Sequence, residues 1–341
     1  MRKVLVTGGA GFIGSHVSAR LVHEGLEVVI LDDLSSGTAA AAPAEAHMVV
    51  GSVLDQALMG DLLGWADACV HLAAVASVAR CSEDAVGSHA VNLTAFVSLL
   101  SLLRERPGPI PLTYASSAAI YGDAAEPPLH EAMAPAPHSA YGADKLGCES
   151  HAAAARELFG QPSIGLRFFN VYGPGQSSGS PYSGVISRFH ASLSAREPMV
   201  LHGDGRQTRD FIYVGDVVEA VWRSLVLQAR PGACGAEVLN VCSGSEVSIA
   251  DLGVAMARAL DRSCRFIEAP PRPGDIRRSC GDPSRLRARL NFVPQTSLEA
   301  GLERLLHGDA AHRQAPRLDL ATAANRARQS SPAATRGSRS R

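Results

Sequence analysis

A tyrosine and a lysine four residues apart, Tyr141 and Lys145, are the residues of this sequence best suited to proton chemistry. Of the 32 cationic residues only Lys3 and Lys145 are lysines, so an ammonium is kept at Lys145 in a chain that otherwise uses arginine. Arginine cannot replace a compact, titratable ammonium. On a helix such a pair lies on one face, about 5–6 Å apart, and the ammonium favours the phenolate form of the tyrosine. The pattern indicates a tyrosine that ionises more readily than usual, although an ordinary exposed Tyr–Lys pair has the same spacing.

A glycine-rich loop near the N-terminus could hold a dinucleotide. The apolar run 4–6 leads into GGAGFIG at 8–14, a GxxGxxG pattern that opens a helix. Glycines let the backbone approach a pyrophosphate, whose charge is met by the amides of the helix N-terminus. Asp32 follows the second predicted strand, where a carboxylate binds the adenosine ribose and repels a 2′-phosphate. We therefore predict NAD rather than NADP, with Asp32 as the ribose ligand and Asp33 as a turn residue.

These residues require a scaffold in which strands and helices alternate. Apolar runs predict strands at 4–6, 28–31, 48–50, 68–71, 111–114 and 163–168, and helices near 13–24, 56–63, 88–105 and 140–159. This alternation is typical of βαβ units, so the predicted fold class is α/β, a doubly wound parallel sheet. Beyond residue 170 the pattern loosens into a smaller second portion. Residues 307–341, rich in Ala, Arg, Ser and Pro, are predicted to form a disordered tail.

Composition argues against several classes of function. The chain has 341 residues, of which 46% are apolar and 19% charged, and its net charge of −1 gives no electrostatic case for nucleic acid or an anionic membrane. No continuous apolar run reaches the roughly 18–20 residues of a membrane span, and the N-terminus does not read as a signal peptide. The cysteines are scattered, odd in number and without a CxxC pair. We therefore expect no disulfide framework, no metal site and a cytoplasmic location.

A set of motifs occurs in a fixed order through residues 2–305. They are TGGAGFIGSH, LDDLSSG, HLAA, YASSAAIYG, YGADK, RFFNVYGPGQ, GDGRQTRDFIYVGD and RPGD. With this set the chain resembles the NAD-dependent epimerase/dehydratase family of extended short-chain dehydrogenases/reductases, and within it the UDP-glucose and UDP-N-acetylglucosamine 4-epimerases. The resemblance implies a Rossmann domain of residues 1–169 and 211–241, and a smaller α/β domain of residues 170–210 and 242–306 for the nucleotide sugar. It also implies a homodimer paired through the helices near 88–105 and 140–159.

The resemblance assigns roles to individual residues. Ser117, Tyr141 and Lys145 would form the catalytic set, with Tyr141 as the base toward the sugar 4-hydroxyl. The implied cofactor-binding residues are Gly8, Gly11, Phe12, Ile13, Gly14, Asp32, Ser36, Gly37, Ser52, Val53, Leu72, Ala73, Ala74, Asn92, Tyr141, Lys145 and Phe168. The implied substrate-binding residues are Ser117, Asn170, Arg209, Arg272, Asp275 and Ser279. Ser52 departs from the family, which often has an acid there, so it would serve the adenine amino group only weakly.

Two alanines distinguish between the reactions that members of this family catalyse. Related 4,6-dehydratases carry an acid pair at the positions of Ala118 and Ala119, and alanine cannot transfer protons. The resemblance then implies oxidation of a UDP-sugar at carbon 4, rotation of the 4-keto sugar and reduction on its other face. Because NAD is regenerated in each turnover, it should be held tightly. A dehydratase or reductase of similar sugars and, from another class, a non-catalytic dinucleotide sensor remain as alternatives.

Ser279, four residues after Asp275, indicates which sugar the protein would accept. In relatives restricted to plain hexoses a tyrosine narrows the pocket at this position, whereas a small residue admits an N-acetyl group. Ser279 therefore predicts the UDP-N-acetylglucosamine/UDP-N-acetylgalactosamine pair, with UDP-glucose and UDP-galactose also accepted. Arg277 and Arg278 keep UDP-glucuronate as an alternative, because either could bind a carboxylate at carbon 6.

Overall fold

The central element of the structure is a parallel β-sheet. The computed structural model describes residues 1–123, 126–176, 184–230, 232, 235–272 and 274–312. The described strands, in chain order, are β1 (Lys3–Thr7), β2 (Glu27–Asp32), β3 (His47–Val50), β4 (Ala68–His71), β5 (Leu112–Ser117), β6 (Ser163–Phe168), β7 (Asn170–Tyr172), β8 (Met199–His202), β9 (Thr208–Arg209), β10 (Phe211–Tyr213), β11 (Ala236–Val241), β12 (Val247–Ser248) and β13 (Phe266–Ala269). The sheet order is β11, β6, β5, β4, β1, β2 and β3, and every pairing in it is parallel.

Helices cover both faces of this sheet. The described helices are α1 (Phe12–His23), α2 (Gln56–Trp65), α3 (Val78–Glu83), α4 (Ala85–His89), α5 (Ala95–Arg104), α6 (Ala140–Phe159), α7 (Val185–Ser194), α8 (Val214–Gln228), α9 (Ile249–Ala259), α10 (Ser284–Leu290) and α11 (Leu298–His312). On one face α1 and α8 bury Val17, Leu21 and Val221 against the strands. On the other face α2 and α5 bury Leu63 and Leu99, and α6 packs beside them. The predicted doubly wound α/β fold is therefore confirmed.

Most element bounds follow the apolar runs of the sequence. The strand predicted at 163–168 is Ser163–Phe168, and the helix predicted at 140–159 is Ala140–Phe159. β5 continues through Ser117, three residues beyond the predicted 111–114. The predicted strands do not include β11, because Glu237 and Asn240 interrupt its apolar run. It nevertheless forms one edge of the sheet, beside β6.

A second core lies beyond residue 170. Phe189 of α7, Met199 of β8, Leu252 of α9 and Leu302 of α11 meet there, and β8 pairs with β13. α10 belongs by sequence to the predicted sugar-binding portion, yet it packs on α8 and β11. The division of the chain into 1–169 with 211–241 and 170–210 with 242–306 stays a prediction.

The helical segment Ala85–Arg104 contains α4, a π-helical turn at Ala90–Thr94 and α5. Among the described residues it is the one helix long and apolar enough to cross a membrane by length and composition. Its side chains Phe96, Leu99 and Leu103 are at most 2% exposed and lie in the core that α2 and α6 share. The segment therefore serves the packing of the sheet.

The disordered tail predicted at residues 307–341 stays a prediction, and α11 overlaps its first residues. α11 extends through His312, so residues 307–312 are helical. Leu302 and Leu305 anchor this helix in the second core, and a helix that is already nucleated is extended at little cost by the residues that follow. Residues 313–341 of the predicted tail lie outside the described residues.

Candidate active site

A cavity of about 690 Å³ lies at the carboxyl ends of the parallel strands, where open α/β sheets bind ligands. The glycine loop between β1 and α1 lines its first part. Gly8 has a φ of +69°, and a Cβ on it would lie 2.6 Å from the Ala73 nitrogen. A Cβ on Gly14 would lie 2.0 Å from the Gly8 oxygen. Only glycine fits these two positions, so the loop presents bare backbone at the start of α1, which suits the pyrophosphate of a dinucleotide.

The Asp32 carboxylate is fixed in the wall of this cavity. It lies at the end of β2, is 8% exposed, and accepts hydrogen bonds from the Ala10 nitrogen at 3.0 Å and the Leu34 nitrogen at 2.9 Å. Each oxygen keeps a further acceptor position, as a ribose diol requires. Asp33 is exposed and accepts from the Ser35 nitrogen at 2.9 Å. This hydrogen bond is that of a turn residue, and Asp33 also lines the cavity.

Most of the predicted cofactor-binding residues line the cavity. Besides Gly8, Gly14 and Asp32, they are Gly11, Phe12, Ile13, Ser36, Val53, Leu72, Ala73, Ala74, Tyr141, Lys145 and Phe168. Gly37 and Ser52 do not line it. Gly37 packs on the Ala10 backbone, and the Ser52 hydroxyl accepts from the Leu54 nitrogen at 3.2 Å.

Asn92 also lies behind the cavity wall rather than in it. Its side chain is 1% exposed, accepts from the Val75 nitrogen at 2.8 Å and donates to the Val75 oxygen at 3.3 Å. The π-helical turn that contains Asn92 directs the amide at this backbone. Asn92 therefore holds the lining segment at Val75 in place from behind, and its predicted direct contact with a cofactor stays a prediction.

Ser117, Tyr141 and Lys145 all line the larger cavity. Ser117 ends β5, and its hydroxyl oxygen accepts from the Ala119 nitrogen at 3.1 Å. Tyr141 lies in the first turn of α6, and Lys145 follows one turn later. The Lys145 Nζ is 5.8 Å from the centre of the Tyr141 ring, and the lysine is 2% exposed. Ala118 and Ala119 line the same wall, so these two positions supply no acid.

A buried histidine, His71, lies behind the catalytic residues. In the sequence only the HLAA motif marks it. His71 ends β4, and its Nδ1 is hydrogen-bonded to the Thr7 hydroxyl at 2.8 Å. Burial, together with the nearby Lys145 charge, lowers the pKa of His71 to about 3. The ring is therefore neutral at physiological pH and adds no second cation beside Lys145.

A smaller cavity of about 200 Å³ continues from the first, and both are lined by Asn170 and Arg209. Arg188, Arg272 and Asp275 complete its charged lining. Burial and the neighbouring Arg272 lower the pKa of Arg188 from its usual value, yet an arginine stays charged in proteins. Three guanidiniums facing one carboxylate make a positive pocket that suits a pyrophosphate.

Arg188 is the member of this group that the sequence analysis missed. It lies in the middle of α7, in the sequence VISRF, and no motif marks it. Arg188 can be recognised as part of the positive pocket only in the folded chain, where α7 lies beside β8 and β9. A cationic residue on the polar side of an amphipathic helix is otherwise an ordinary surface residue.

The predicted substrate residues lie close together. Arg209 is ion-paired with Asp275 and donates to the Ile276 oxygen at 2.6 Å. Burial lowers the pKa of Arg209, and the Asp275 charge opposes this effect. Ser279 is 7% exposed and lines the larger cavity. Arg272 and Asp275 line the smaller one, next to Asn170.

Arg277 and Arg278 point to other partners. Arg277 donates to both Asp204 oxygens at 2.8 and 2.9 Å, and Arg278 donates to both Glu246 oxygens at 2.8 Å. Neither lines a cavity described here. Arg80, which the sequence analysis did not select, lines the larger cavity at α3.

The chain is similar to proteins of one known family. Residues 4–242 match the model of the NAD dependent epimerase/dehydratase family. The chain belongs to this family. NAD is therefore its cofactor, and it is an enzyme of the nucleotide-sugar epimerase class, as the motifs predicted.

Individual relatives extend over almost the whole chain. UDP-glucose 4-epimerase of Mycolicibacterium smegmatis is 35% identical over 306 residues, which cover 88% of this chain and 96% of the relative. A structure of UDP-glucose 4-epimerase from Thermotoga maritima with UDP-glucose is similar with a TM-score of 0.86 and 30% identity, covering 92% of this chain and 100% of the other. A structure of UDP-N-acetylglucosamine 4-epimerase from Methanobrevibacter ruminantium, in complex with UDP-N-acetylmuramic acid, has a TM-score of 0.85 and 31% identity, covering 91% and 98%.

Proposed function

We propose that this protein interconverts UDP-N-acetylglucosamine and UDP-N-acetylgalactosamine by epimerisation at carbon 4, and that it also accepts UDP-glucose and UDP-galactose. The observation that carries the proposal is that Ser117, Tyr141 and Lys145 line the same cavity as the glycine loop, and that this cavity shares Asn170 and Arg209 with the arginine-lined one. A sugar whose diphosphate lies on Arg188, Arg209 and Arg272 extends from there toward Tyr141. The dinucleotide would occupy the part of the larger cavity that the glycine loop lines.

The chain's own residues account for the proton chemistry. Tyr141 takes the proton from the 4-hydroxyl and returns it after the sugar has turned. Lys145, one helical turn away, places a positive charge 5.8 Å from the centre of the Tyr141 ring. The Ser117 oxygen already accepts from the Ala119 nitrogen, so its own proton remains available for the reacting sugar oxygen. NAD, when bound, supplies the oxidation and the reduction at carbon 4.

The alanines and the size of the cavity favour epimerisation over elimination. Water loss needs an acid to protonate the leaving hydroxyl and a base at carbon 5, and Ala118 and Ala119 can provide neither. The larger cavity, at about 690 Å³, is within the usual range for ligand sites. In the proposed reaction the keto sugar turns in the part of this cavity that the dinucleotide leaves free, while its diphosphate stays bound.

Ser279 supports the N-acetylated substrates. Its side chain is small, and it lines the larger cavity together with Asn170 and Ile276. A pocket that is merely larger accepts both an acetamido group and a hydroxyl, whereas a filled pocket rejects the larger group. The similar Methanobrevibacter enzyme, named for UDP-N-acetylglucosamine, is consistent with this choice.

UDP-glucuronate is the second candidate, and Arg80 is the observation that favours it. Arg277 and Arg278 are occupied by Asp204 and Glu246, so they no longer support a carboxylate at carbon 6. Arg80 lines the larger cavity on α3, and α3 packs against α6, which carries Tyr141. A guanidinium at that place could bind a sugar carboxylate.

The test is a panel of UDP-sugars incubated with the purified protein without added cofactor. We expect UDP-N-acetylglucosamine to yield UDP-N-acetylgalactosamine, resolved by chromatography. Tyr141→Phe should lower the rate by ~10²–10⁴-fold while bound NAD is retained. Tyr114→Phe removes the same atom from the core of β5 and should leave the rate unchanged.

The other outcomes of the panel are equally informative. Conversion of UDP-glucuronate alone, abolished by Arg80→Ala, would establish the second candidate. Conversion of no UDP-sugar would contradict the proposal. A dehydrated 4-keto product would show that another residue replaces the missing acid pair.

A further inference from the structure

A buried ion pair lies directly behind the catalytic residues. Glu149 and Arg167 are 9% and 3% exposed. The Arg167 Nε donates to the Glu149 Oε1 at 2.9 Å, and its Nη2 donates to Oε2 at 2.7 Å. Burying such a pair is often no more stabilising than burying apolar residues of the same volume. Its presence at this place calls for an explanation other than stability.

The pair connects the elements that carry the catalytic residues. Glu149 lies on α6, one turn after Lys145 and two turns after Tyr141. The Glu149 Oε1 also accepts from the Ser116 hydroxyl at 2.5 Å, and Ser116 directly precedes Ser117 at the end of β5. One carboxylate therefore fixes the position of β5 relative to α6.

Arg167 extends the connection to β6 and to Tyr121. It lies on β6, directly before Phe168, which lines the larger cavity. Its Nη1 donates to the Tyr121 hydroxyl at 2.8 Å, and that hydroxyl donates to the Asn240 Oδ1 at 2.7 Å. Burial raises the pKa of Tyr121 to about 12, so the phenol remains a donor at physiological pH.

We propose that Glu149 and Arg167 are positioning residues that set the distance between Ser117, Tyr141 and Lys145. The inference rests on the proposed epimerase function and adds to it. Neither residue lines a cavity described here, so they act through the residues that they hold. A displacement of about 1 Å among reacting groups can lower a rate by about 100-fold.

The test is Glu149→Gln, measured with UDP-N-acetylglucosamine. Glutamine has nearly the same volume, but its amide nitrogen would face the donating guanidinium, and the Arg167 charge would lose its partner. We expect kcat to fall about 10–100-fold, with KM and the bound NAD content near those of the wild type. A residue that matters only for folding would lower the yield of folded protein and leave the kcat of the folded fraction unchanged.

Glu219→Gln is the matched control. Glu219 accepts from Arg20 at 2.8 Å and from Arg223 at 2.6 Å, on the α1–α8 face of the sheet. The same chemical change is made there to a carboxylate that bridges two guanidiniums away from the cavity. The kcat of this variant should equal that of the wild type.

Ser116→Ala covers the case in which Glu149→Gln does not fold. It deletes a single hydroxyl and should lower kcat about 3–10-fold with unchanged KM. Folded Glu149→Gln or Ser116→Ala with wild-type kcat, or an effect confined to KM, would overturn the inference while leaving the proposed function intact. A wild-type protein inactive on every UDP-sugar would overturn both.

Discussion

At the scale of single residues, Ser279 connects side-chain volume with substrate choice. Replacing it by tyrosine adds a ring at a position that is 7% exposed and lines the larger cavity. A clash in a packed pocket costs roughly 1–3 kcal/mol, which corresponds to about 10–100-fold in discrimination. Ser279→Tyr should therefore lose most activity on UDP-N-acetylglucosamine and keep activity on UDP-glucose, as measured by kcat/KM for each sugar. An equal loss of kcat/KM on both substrates would show that Ser279 does not discriminate between substituents at carbon 2 of the sugar.

His71 gives a pH prediction at the same scale. Its pKa is about 3 in the folded protein against about 6.5 in an unfolded chain, so only the unfolded state gains a proton as the pH falls below about 6.5. Stability is therefore lost between pH 6.5 and 3. At pH 5 this one group should cost about 2 kcal/mol of the free energy of unfolding.

His71→Asn isolates this contribution, because the amide can keep the bond to Thr7 without titrating. Urea unfolding at pH 7 and pH 5 should show a loss of stability that is about 2 kcal/mol smaller in the variant. Identical losses in the two proteins would mean that His71 takes up its proton over the same pH range in the folded and the unfolded state.

At the scale of elements, Asp210 holds together the loops around the substrate residues. It lies between β9 and β10 and is fully buried. One oxygen accepts from the Ser243 nitrogen and hydroxyl at 2.7 Å, and the other accepts from the nitrogens of Gly244 at 2.9 Å and Gly281 at 3.2 Å. The segment of Ser279 and the strand end of Arg209 thereby share one anchor.

Asp210→Asn should be strongly destabilising, because either orientation of an amide turns its nitrogen toward donors. We expect a loss of about 2–3 kcal/mol in the free energy of unfolding, measured with urea at pH 7. Asp33→Asn is the control, since Asp33 is exposed and accepts a single turn hydrogen bond that asparagine can also accept. Equal stability of the two variants would show that the loops are held by other contacts.

The elements also show what the sequence could and could not predict. β1, β2 and β4 could be predicted because their apolar runs are unbroken, and the glycine loop because its chemistry is local. Arg188 and Asp210 could not, because each depends on elements far apart in sequence that meet in the folded chain. Asn92 has the position that the motifs implied, but a π-helical turn sets its direction, and no sequence pattern at this site indicates that turn.

At the scale of the whole molecule, the predicted homodimer would place α5 and α6 against their copies. Leu158 on α6 is 80% exposed, which fits a contact with a partner. Sedimentation equilibrium should give twice the chain mass of 35.7 kDa, and Leu158→Glu should shift the protein toward monomers. Val254→Glu, on α9 and 44% exposed, should leave the mass unchanged. A monomeric wild type would contradict the prediction.

The central claim is a closed oxidation and reduction at carbon 4 of one sugar. The most direct test uses UDP-N-acetylglucosamine that carries deuterium at carbon 4, with purified protein and no added NAD. Because the label leaves carbon 4 and returns to the same carbon within one turnover, we predict UDP-N-acetylgalactosamine with deuterium retained there, measured by mass spectrometry and NMR. Product with ordinary hydrogen at carbon 4, or NADH released in proportion to product, would contradict the account.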